Sequence, residues 1–329
     1  MKTLNFEQIK KLVHGAARIE EGDGEISFFR FSKAQEELYK NTSADFYTKT
    51  FATAGITLEF ETDSENLKLK VLVSRGSSRT FFTHTVFING ERFDELSGNI
   101  GGKEDLPFKK EFNLGKGTKT VKILFPWSVS SKLLSLEVDD NATVTPITKK
   151  VKLLMLGDSI TQGYDAMQPE NAYAFQLATH LNAETRNKGI AGEQFFPALV
   201  LQPEDFKPDL ITVAYGTNDW RHGNKESFEQ ACLGFFVNLR SSYPNTPIVA
   251  LTPLWRTDID TMYEFGESLN YVANYIKRIA KQVPNMTVID CMGFVPHNPR
   301  LYQTDGVHPI DAGFKHYGIN LIKELENKI

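Results

Sequence analysis

Apolar and polar residues alternate with a period of two through much of the chain between residues 56 and 138. The runs with this pattern are Ile56 to Phe60, Leu67 to Val73, Phe82 to Ile88, Phe108 to Leu114, Val121 to Phe125 and Leu134 to Val138. Such alternation is typical of strands that bury one face. Asn89-Gly90 follows the third run and predicts a type I′ hairpin. Six or more short strands with turns between them predict an all-β sandwich or jelly roll over residues 1–140.

The pattern changes after a polar, proline-containing segment, Asp139 to Lys149, which predicts a linker over 141–149. Beyond it, short continuous apolar runs alternate with segments of helical period. The predicted strands include Leu153 to Leu156, Leu210 to Ala214, Ile248 to Leu251 and Val288 to Ile289, and the predicted helices are Ala172 to Leu181, Phe228 to Leu239, Leu269 to Ile279 and Ala312 to Leu325. This alternation predicts an α/β/α domain with a parallel sheet over 150–329.

The composition and charge of the chain limit the kinds of molecule that it is expected to bind. A net charge of −4, without a dense Lys/Arg block, argues against nucleic acid as a partner. No apolar run is long enough to span a bilayer, and charged residues interrupt the apolar positions of the N-terminus. The two cysteines, Cys232 and Cys291, are interpreted as buried apolar residues. These features favour a cytoplasmic setting, although a chain that had lost a leader peptide would look the same.

Candidate chemistry begins at Gly157-Asp158-Ser159, where a predicted buried strand runs into a serine. A serine at the carboxyl end of a parallel strand lies at the edge of the sheet where ligands bind. The alternative is a serine that merely caps the next helix. The Gly-x-Ser-x-Gly elbow of α/β-hydrolases is not present, because Thr161 replaces the second glycine.

A serine nucleophile needs a base that is itself oriented by a third group. Asp305 and His308 lie three residues apart in Thr-Asp-Gly-Val-His-Pro, just before the last predicted helix. A short loop there allows Asp305 to bind one ring nitrogen of His308 and leaves the other free to face a nucleophile. Ordinary loop roles for both residues remain the alternative.

Two further strand exits offer donors for a developing oxyanion. Asn218 follows the strand that ends at Ala214, and Gly192 ends Asn-Lys-Gly-Ile-Ala-Gly. A side-chain amide and an unobstructed backbone N–H can both stabilise negative charge. An Asx-type turn that caps the next helix is the alternative for Asn218.

The order Ser, Gly, Asn, Asp-x-x-His resembles that of the SGNH, or GDSL-like, hydrolases, over roughly residues 150–329. The resemblance implies a flavodoxin-like sheet, a catalytic Ser159, Asp305 and His308, and an oxyanion hole formed by Ser159, Gly192 and Asn218. It implies neither a metal nor an organic cofactor. A β domain before the hydrolase domain is similar to the arrangement in carbohydrate esterase family two, some members of which lack the orienting carboxylate.

These resemblances predict a serine esterase that removes a small acyl group, and an acetyl group in particular, from a carbohydrate. Trp220 and Trp255 are candidate sugar-stacking residues, with ordinary packing as the alternative. A short-chain acyl-ester or thioester hydrolase, with the β domain as a scaffold, is the first alternative function. A catalytically silent carbohydrate-binding protein is the second. The expected partner is a small-molecule or oligosaccharide ester, and the sequence does not predict an oligomeric state.

Overall fold

The computed structural model describes residues 1–202 and 204–327, so the last two residues of the predicted hydrolase domain lie outside the described range. The chain divides into two compact units. The first contains residues 1–150 together with 168–170, and the second contains 151–167 and 171–329. Among the described residues, no helix has both the length and the apolarity needed to cross a membrane.

The first unit is built mainly from antiparallel strands. Its strands are β1 (Lys2–Thr3), β2 (Val13–His14), β3 (Arg18–Gly22), β4 (Glu25–Phe29), β5 (Thr57–Thr62), β6 (Asn66–Arg75), β7 (Phe81–Ile88), β8 (Glu91–Asn99), β9 (Leu106–Asn113), β10 (Lys119–Leu124), β11 (Val129–Val138) and β12 (Val144–Pro146). Its helices are α1 (Phe6–Leu12), α2 (Lys33–Thr42) and α3 (Ala44–Thr50). The three helices begin at the side-chain caps Asn5, Ser32 and Ser43.

Two antiparallel sheets share one apolar core. One sheet has the order β3-β4-β11-β6-β9, with β1 beside β11, and the other has the order β12-β5-β10-β7-β8, with β2 beside β5. The apolar positions of β6 and those of β5, β7 and β10 are buried in the same cluster. Phe82 of β7 and Phe108 of β9 join the two sheets edge to face, with ring centroids 4.7 Å apart. The period-two pattern therefore does mark strands with one buried face.

The segment predicted to be a linker takes part in the second sheet. Its strand β12 pairs with β5 in the register Val144 to Thr62. Lys149 forms an ion pair with Glu59, and both side chains are almost fully buried. A polar strand at the edge of a sheet has no apolar alternation, which is why its sequence is typical of a loop.

The second unit contains a parallel sheet and six α-helices within the described residues. Its strands are β13 (Val151–Gly157), β14 (Ala183–Gly189), β15 (Leu210–Ala214), β16 (Ile248–Leu251) and β17 (Met286–Ile289). Its helices are α4 (Ser159–Gln162), α5 (Tyr173–His180), α6 (Thr217–His222), α7 (Lys225–Ser242), α8 (Leu269–Ala280) and α9 (Asp311–Glu326). The predicted strands and helices all fall within these bounds to within one or two residues.

The parallel sheet has the order β14-β13-β15-β16-β17. This is the flavodoxin-like order, in which the chain reverses its direction of progress across the sheet between β13 and β15. Leu153 and Met155 of β13 pack into the core that contains α5 and α9, and the alternate residues Leu154 and Leu156 are also buried. Both faces are thus covered, and a crevice is expected where β13 and β15 end.

Candidate active site

Ser159 is the first residue of α4, directly after β13. The turn between them is tight, because a Cβ on Gly157 would lie 2.1 Å from Oγ1 of Thr161. Asp158 caps α4, since its Oδ1 accepts a hydrogen bond from the N–H of Ile160 at 3.0 Å. The serine side chain is thereby held at the carboxyl end of the sheet, where Ser159 is 4% exposed.

The loop before α9 folds around Asp305. Its Oδ1 accepts hydrogen bonds from the N–H groups of Val307 and His308, at 2.9 and 3.1 Å. Gly306 has φ +70°, and a Cβ there would lie 1.7 Å from Oγ1 of Thr257. The N–H of Thr257 donates to the carbonyl of Gly306 at 2.9 Å. The glycine therefore lets the loop pack closely against the segment after β16.

This loop brings three predicted residues together. Nε2 of His308 lies 2.7 Å from Oγ of Ser159, and Nδ1 lies 2.5 Å from Oδ2 of Asp305. A proton on Nδ1 satisfies both contacts, because Nε2 then accepts from the serine hydroxyl. Burial raises the pKa of Asp305, but the hydrogen bond and charge of His308 outweigh burial and hold that pKa well below its usual range. Asp305 is thus ionised beside the imidazole, which is the arrangement of a serine nucleophile with its base.

Gly192 and Asn218 occupy two other strand exits. Gly192 has φ +88°, and its N–H donates to no group within the described residues. Asn218 is the second residue of α6, whose N-cap is Gly216 with no side-chain cap. Its Nδ2 donates to the carbonyl of Glu193 at 2.9 Å. The Asn218 side chain therefore acts as a donor, and among the described residues no side chain caps the start of α6.

The segment after Gly192 is held to α6 by several hydrogen bonds besides that of Asn218. Nε2 of Gln194 donates to the carbonyl of Asn218 at 3.1 Å, and the N–H of Phe195 donates to Oδ1 of Asp219 at 3.2 Å. The hydroxyl of Tyr215 donates to the buried carboxylate of Glu193 at 2.7 Å. Gly192 and Asn218 are thus positioned relative to each other by one network, which sequence spacing alone did not reveal.

Two further carboxyl groups beside these residues are buried. Burial raises the pKa of Asp158 to about 6 and that of Asp219 to about 7. Oδ2 of Asp219 has no hydrogen-bond partner among the described residues. Desolvation disfavours the charged form of such groups, and at Asp158 the opposing charge of Arg256 does not outweigh it.

The two tryptophans differ in what they offer. Trp220 is fully buried, its Nε1 donates to the carbonyl of Glu267, and the ring of Tyr263 meets its ring edge to face. It therefore exposes no ring face to a sugar, because its side of α6 faces inward. Trp255 is half-buried, and the ring of His297 stacks on it with centroids 5.0 Å apart. Trp255 stays a candidate, two residues before the Thr257 that contacts the His308 loop.

A second carboxylate, which the sequence analysis did not single out, lies near the histidine. Oδ2 of Asp165 is 3.8 Å from Nδ1 of His308, and the Asp165 side chain is only 7% exposed. Asp165, Asp305 and His308 are close enough together to ligate a metal. Nδ1 of His308 already contacts Asp305 and Nε2 contacts Ser159, so an ion bound to His308 would have to displace one of these contacts.

The chain is similar to known proteins in both sequence and fold. Residues 155–316 match the model of the GDSL-like lipase/acylhydrolase family. The second unit therefore contains a domain of that family, which confirms the resemblance seen in the sequence. Over 126 residues, or 37% of the chain, the sequence is 28% identical to a multidomain esterase of Ruminococcus flavefaciens. That match spans only 16% of the longer relative.

Solved structures share the fold. The salicylyl-acyltransferase SsfX3 from a tetracycline biosynthetic pathway aligns with a TM-score of 0.81 and 19% identity, over 96% of this chain and 94% of that one. A family two carbohydrate esterase from Clostridium thermocellum, solved with cellohexaose, aligns with a TM-score of 0.64 and 16% identity, over 84% of this chain and 93% of that one. At these identities the likeness establishes the fold, and the activity has to be argued from the site.

Proposed function

We propose that this protein is a serine esterase that removes a small acyl group, acetyl in particular, from a carbohydrate through an acyl-enzyme on Ser159. The observation that carries the proposal is the chain of contacts from Ser159 to His308 to Asp305, at 2.7 and 2.5 Å. In the proposed reaction Oγ attacks the ester carbonyl while Nε2 of His308 takes the hydroxyl proton. Asp305 stabilises the imidazolium that forms.

The tetrahedral oxygen is proposed to bind the N–H groups of Ser159 and Gly192 and the side-chain amide of Asn218. The side-chain amide of Asn218 carries two protons, and the backbone carbonyl of Glu193 accepts only one of them. The second proton is thus available to an oxyanion. When the intermediate collapses, His308 returns its proton to the leaving alkoxide, and a water molecule then cleaves the acyl-enzyme by the same steps.

A carbohydrate as the alcohol is supported by the fold shared with a family two carbohydrate esterase. Ester hydrolysis is supported by the sequence match to a multidomain esterase. The β unit is proposed to be a jelly-roll-like domain comparable to the one that precedes the hydrolase domain in that family. Trp255, with His297 stacked on it, is the proposed aromatic contact for a sugar ring.

A second candidate is acyl transfer, which the fold shared with a salicylyl-acyltransferase favours. The same acyl-enzyme would then pass its acyl group to an acceptor hydroxyl in place of water. The difference between the two reactions lies only in what reaches the acyl carbon in the second half-reaction.

A substrate panel tests the proposal. Acetylated xylo- and cello-oligosaccharides are compared with 4-nitrophenyl esters and acyl-CoA esters of increasing chain length, and acetate release and transfer products are both measured. The proposal predicts a higher kcat/KM for acetylated oligosaccharides, with acetate as the main product. A preference for longer acyl chains or thioesters, or no turnover of any ester, would contradict it. Products acylated on an added sugar or alcohol, in place of free acetate, would favour the transferase.

A further inference from the structure

The base of the proposed reaction has carboxylates on two sides. Asp305 belongs to the same loop as His308, whereas Asp165 comes from the turn after α4, 143 positions earlier in the chain. Asp305 makes the close contact at 2.5 Å, and Oδ2 of Asp165 is 3.8 Å from the same Nδ1. Both side chains therefore face one nitrogen of one imidazole.

Exposure distinguishes the two carboxylates. The side chain of Asp305 is 39% exposed, and that of Asp165 is 7% exposed. Water and salt screen a charge pair less when the pair is buried. The burial of Asp165 therefore partly offsets the weaker electrostatic attraction that its longer distance from His308 implies. The hydrogen bond of Asp305, in contrast, is open to competition from water.

The Asp165 turn is anchored to the histidine loop. Nε2 of Gln303 donates to the carbonyl of Asp165 at 3.2 Å, and the N–H of Gln303 donates to the carbonyl of His308 at 2.8 Å. Asp165 itself has φ +67°, a conformation that aspartate and asparagine tolerate better than most residues. The ring of Tyr164 lies beside that of His308, with centroids 5.2 Å apart. The hydrogen bonds of Gln303 and the ring contact of Tyr164 therefore hold the Asp165 turn close to Nδ1 of His308.

We infer that Asp165 is a second positioning residue for His308, which stabilises the imidazolium formed during attack and takes over much of the role of Asp305 when that residue is lost. The inference rests on the proposed function, because it assumes that His308 takes a proton from Ser159. A small shift of the Asp165 side chain would convert the 3.8 Å approach into a hydrogen bond once Asp305 no longer competes for Nδ1.

The test is a double-mutant cycle of Asp165→Asn and Asp305→Asn, read out by the rate at which a small fluorophosphonate labels Ser159. In this reaction Oγ forms a bond to phosphorus, fluoride leaves, and the hydroxyl proton goes to His308, so the rate reports on the base without needing an ester substrate. Asparagine suits the positive φ at position 165, and Asp165→Gly, which removes the side chain altogether, serves as a second variant. Asp311→Asn is the matched control, because Asp311 accepts from the N–H of Met167 and anchors the same turn.

We expect Asp165→Asn to slow labelling roughly five- to tenfold in the wild-type background, as for the loss of one partly screened charge. We expect a larger factor in the Asp305→Asn background, and little change for Asp311→Asn. Hydrolysis of 4-nitrophenyl acetate by the same variants should show the loss in kcat and not in KM. The inference would be overturned, without affecting the proposed function, if Asp165→Asn and Asp165→Gly slowed labelling by the same factor or less in the Asp305→Asn background than in the wild-type background. A folded wild-type protein that is not labelled at Ser159 would overturn the proposed function as well.

Discussion

The side-chain amide of Asn218 offers the sharpest single perturbation of the site. Asn218→Ala removes a proposed oxyanion donor and one hydrogen bond, from Nδ2 to the carbonyl of Glu193 at 2.9 Å. Loss of an oxyanion donor typically lowers kcat by a factor of roughly 10² to 10³, or about 3 to 4 kcal/mol, because the bond matters mainly in the transition state. Loss of the bond to Glu193 should cost about 1 kcal/mol of stability.

The loss in kcat and the loss in stability can be measured separately on one preparation of the variant. Steady-state hydrolysis of 4-nitrophenyl acetate should show a lower kcat with KM nearly unchanged, and thermal unfolding should show a melting temperature lower by about 2 to 4 °C. Gln194→Ala is the matched control, because it removes a hydrogen bond between the same two segments without removing a proposed oxyanion donor. A similar stability loss with near-normal kcat in both variants would refute the oxyanion role of Asn218.

Three other perturbations have defined outcomes. Gly306→Ala should lower kcat and stability together, because a Cβ at φ +70° meets Thr257; activity equal to that of the wild type would show that this close packing does not set the His308 loop. Asp219 has a pKa raised to about 7, so its stabilising contribution is present below its ordinary pKa near 4 and is lost as pH rises through 7. Chemical denaturation should therefore show Asp219→Asn gaining stability relative to wild type from pH 5 to pH 8, by roughly 3 kcal/mol, and a difference independent of pH would contradict that burial effect. Prolonged EDTA treatment should leave ester hydrolysis unchanged, whereas a loss that zinc restores would point to a metal at Asp165, Asp305 and His308.

The sequence predicted the elements whose patterns are strongly periodic. The hairpin at Asn89-Gly90 is one such element, and both residues adopt the positive φ that a type I′ turn requires. The hairpin implies a second strand, β8, but the sequence pattern does not give the bounds of that strand, because its residues are mostly polar and it lies at the edge of a sheet. Helices α2 and α3 were not predicted either, since they lie within the β unit and have few apolar positions.

In the candidate active site, contacts between residues close in sequence could be predicted, whereas contacts between residues far apart in sequence could not. Asp305 and His308 are three residues apart, so their pairing follows from a short loop and was predicted from sequence. The approach of Asp165 to His308 depends on how the turn after α4 packs against a loop far along the chain, and no spacing rule indicates it. Trp220 was expected in the crevice because it follows Asn218, but adjacency in sequence does not determine which side of a helix faces inward.

Trapping the acyl-enzyme shows which residue is the nucleophile. The protein is mixed with 4-nitrophenyl acetate, quenched in acid during turnover, and digested for mass spectrometry, with Ser159→Ala and His308→Ala treated in parallel. With Ser159 as the nucleophile, we expect one acetyl group on the peptide that contains Ser159 in the wild type and no acetylation of that peptide in Ser159→Ala. We also expect hydrolysis to be nearly abolished in both variants. Rapid hydrolysis by Ser159→Ala, or an acetyl group trapped on a different residue, would contradict that role for Ser159.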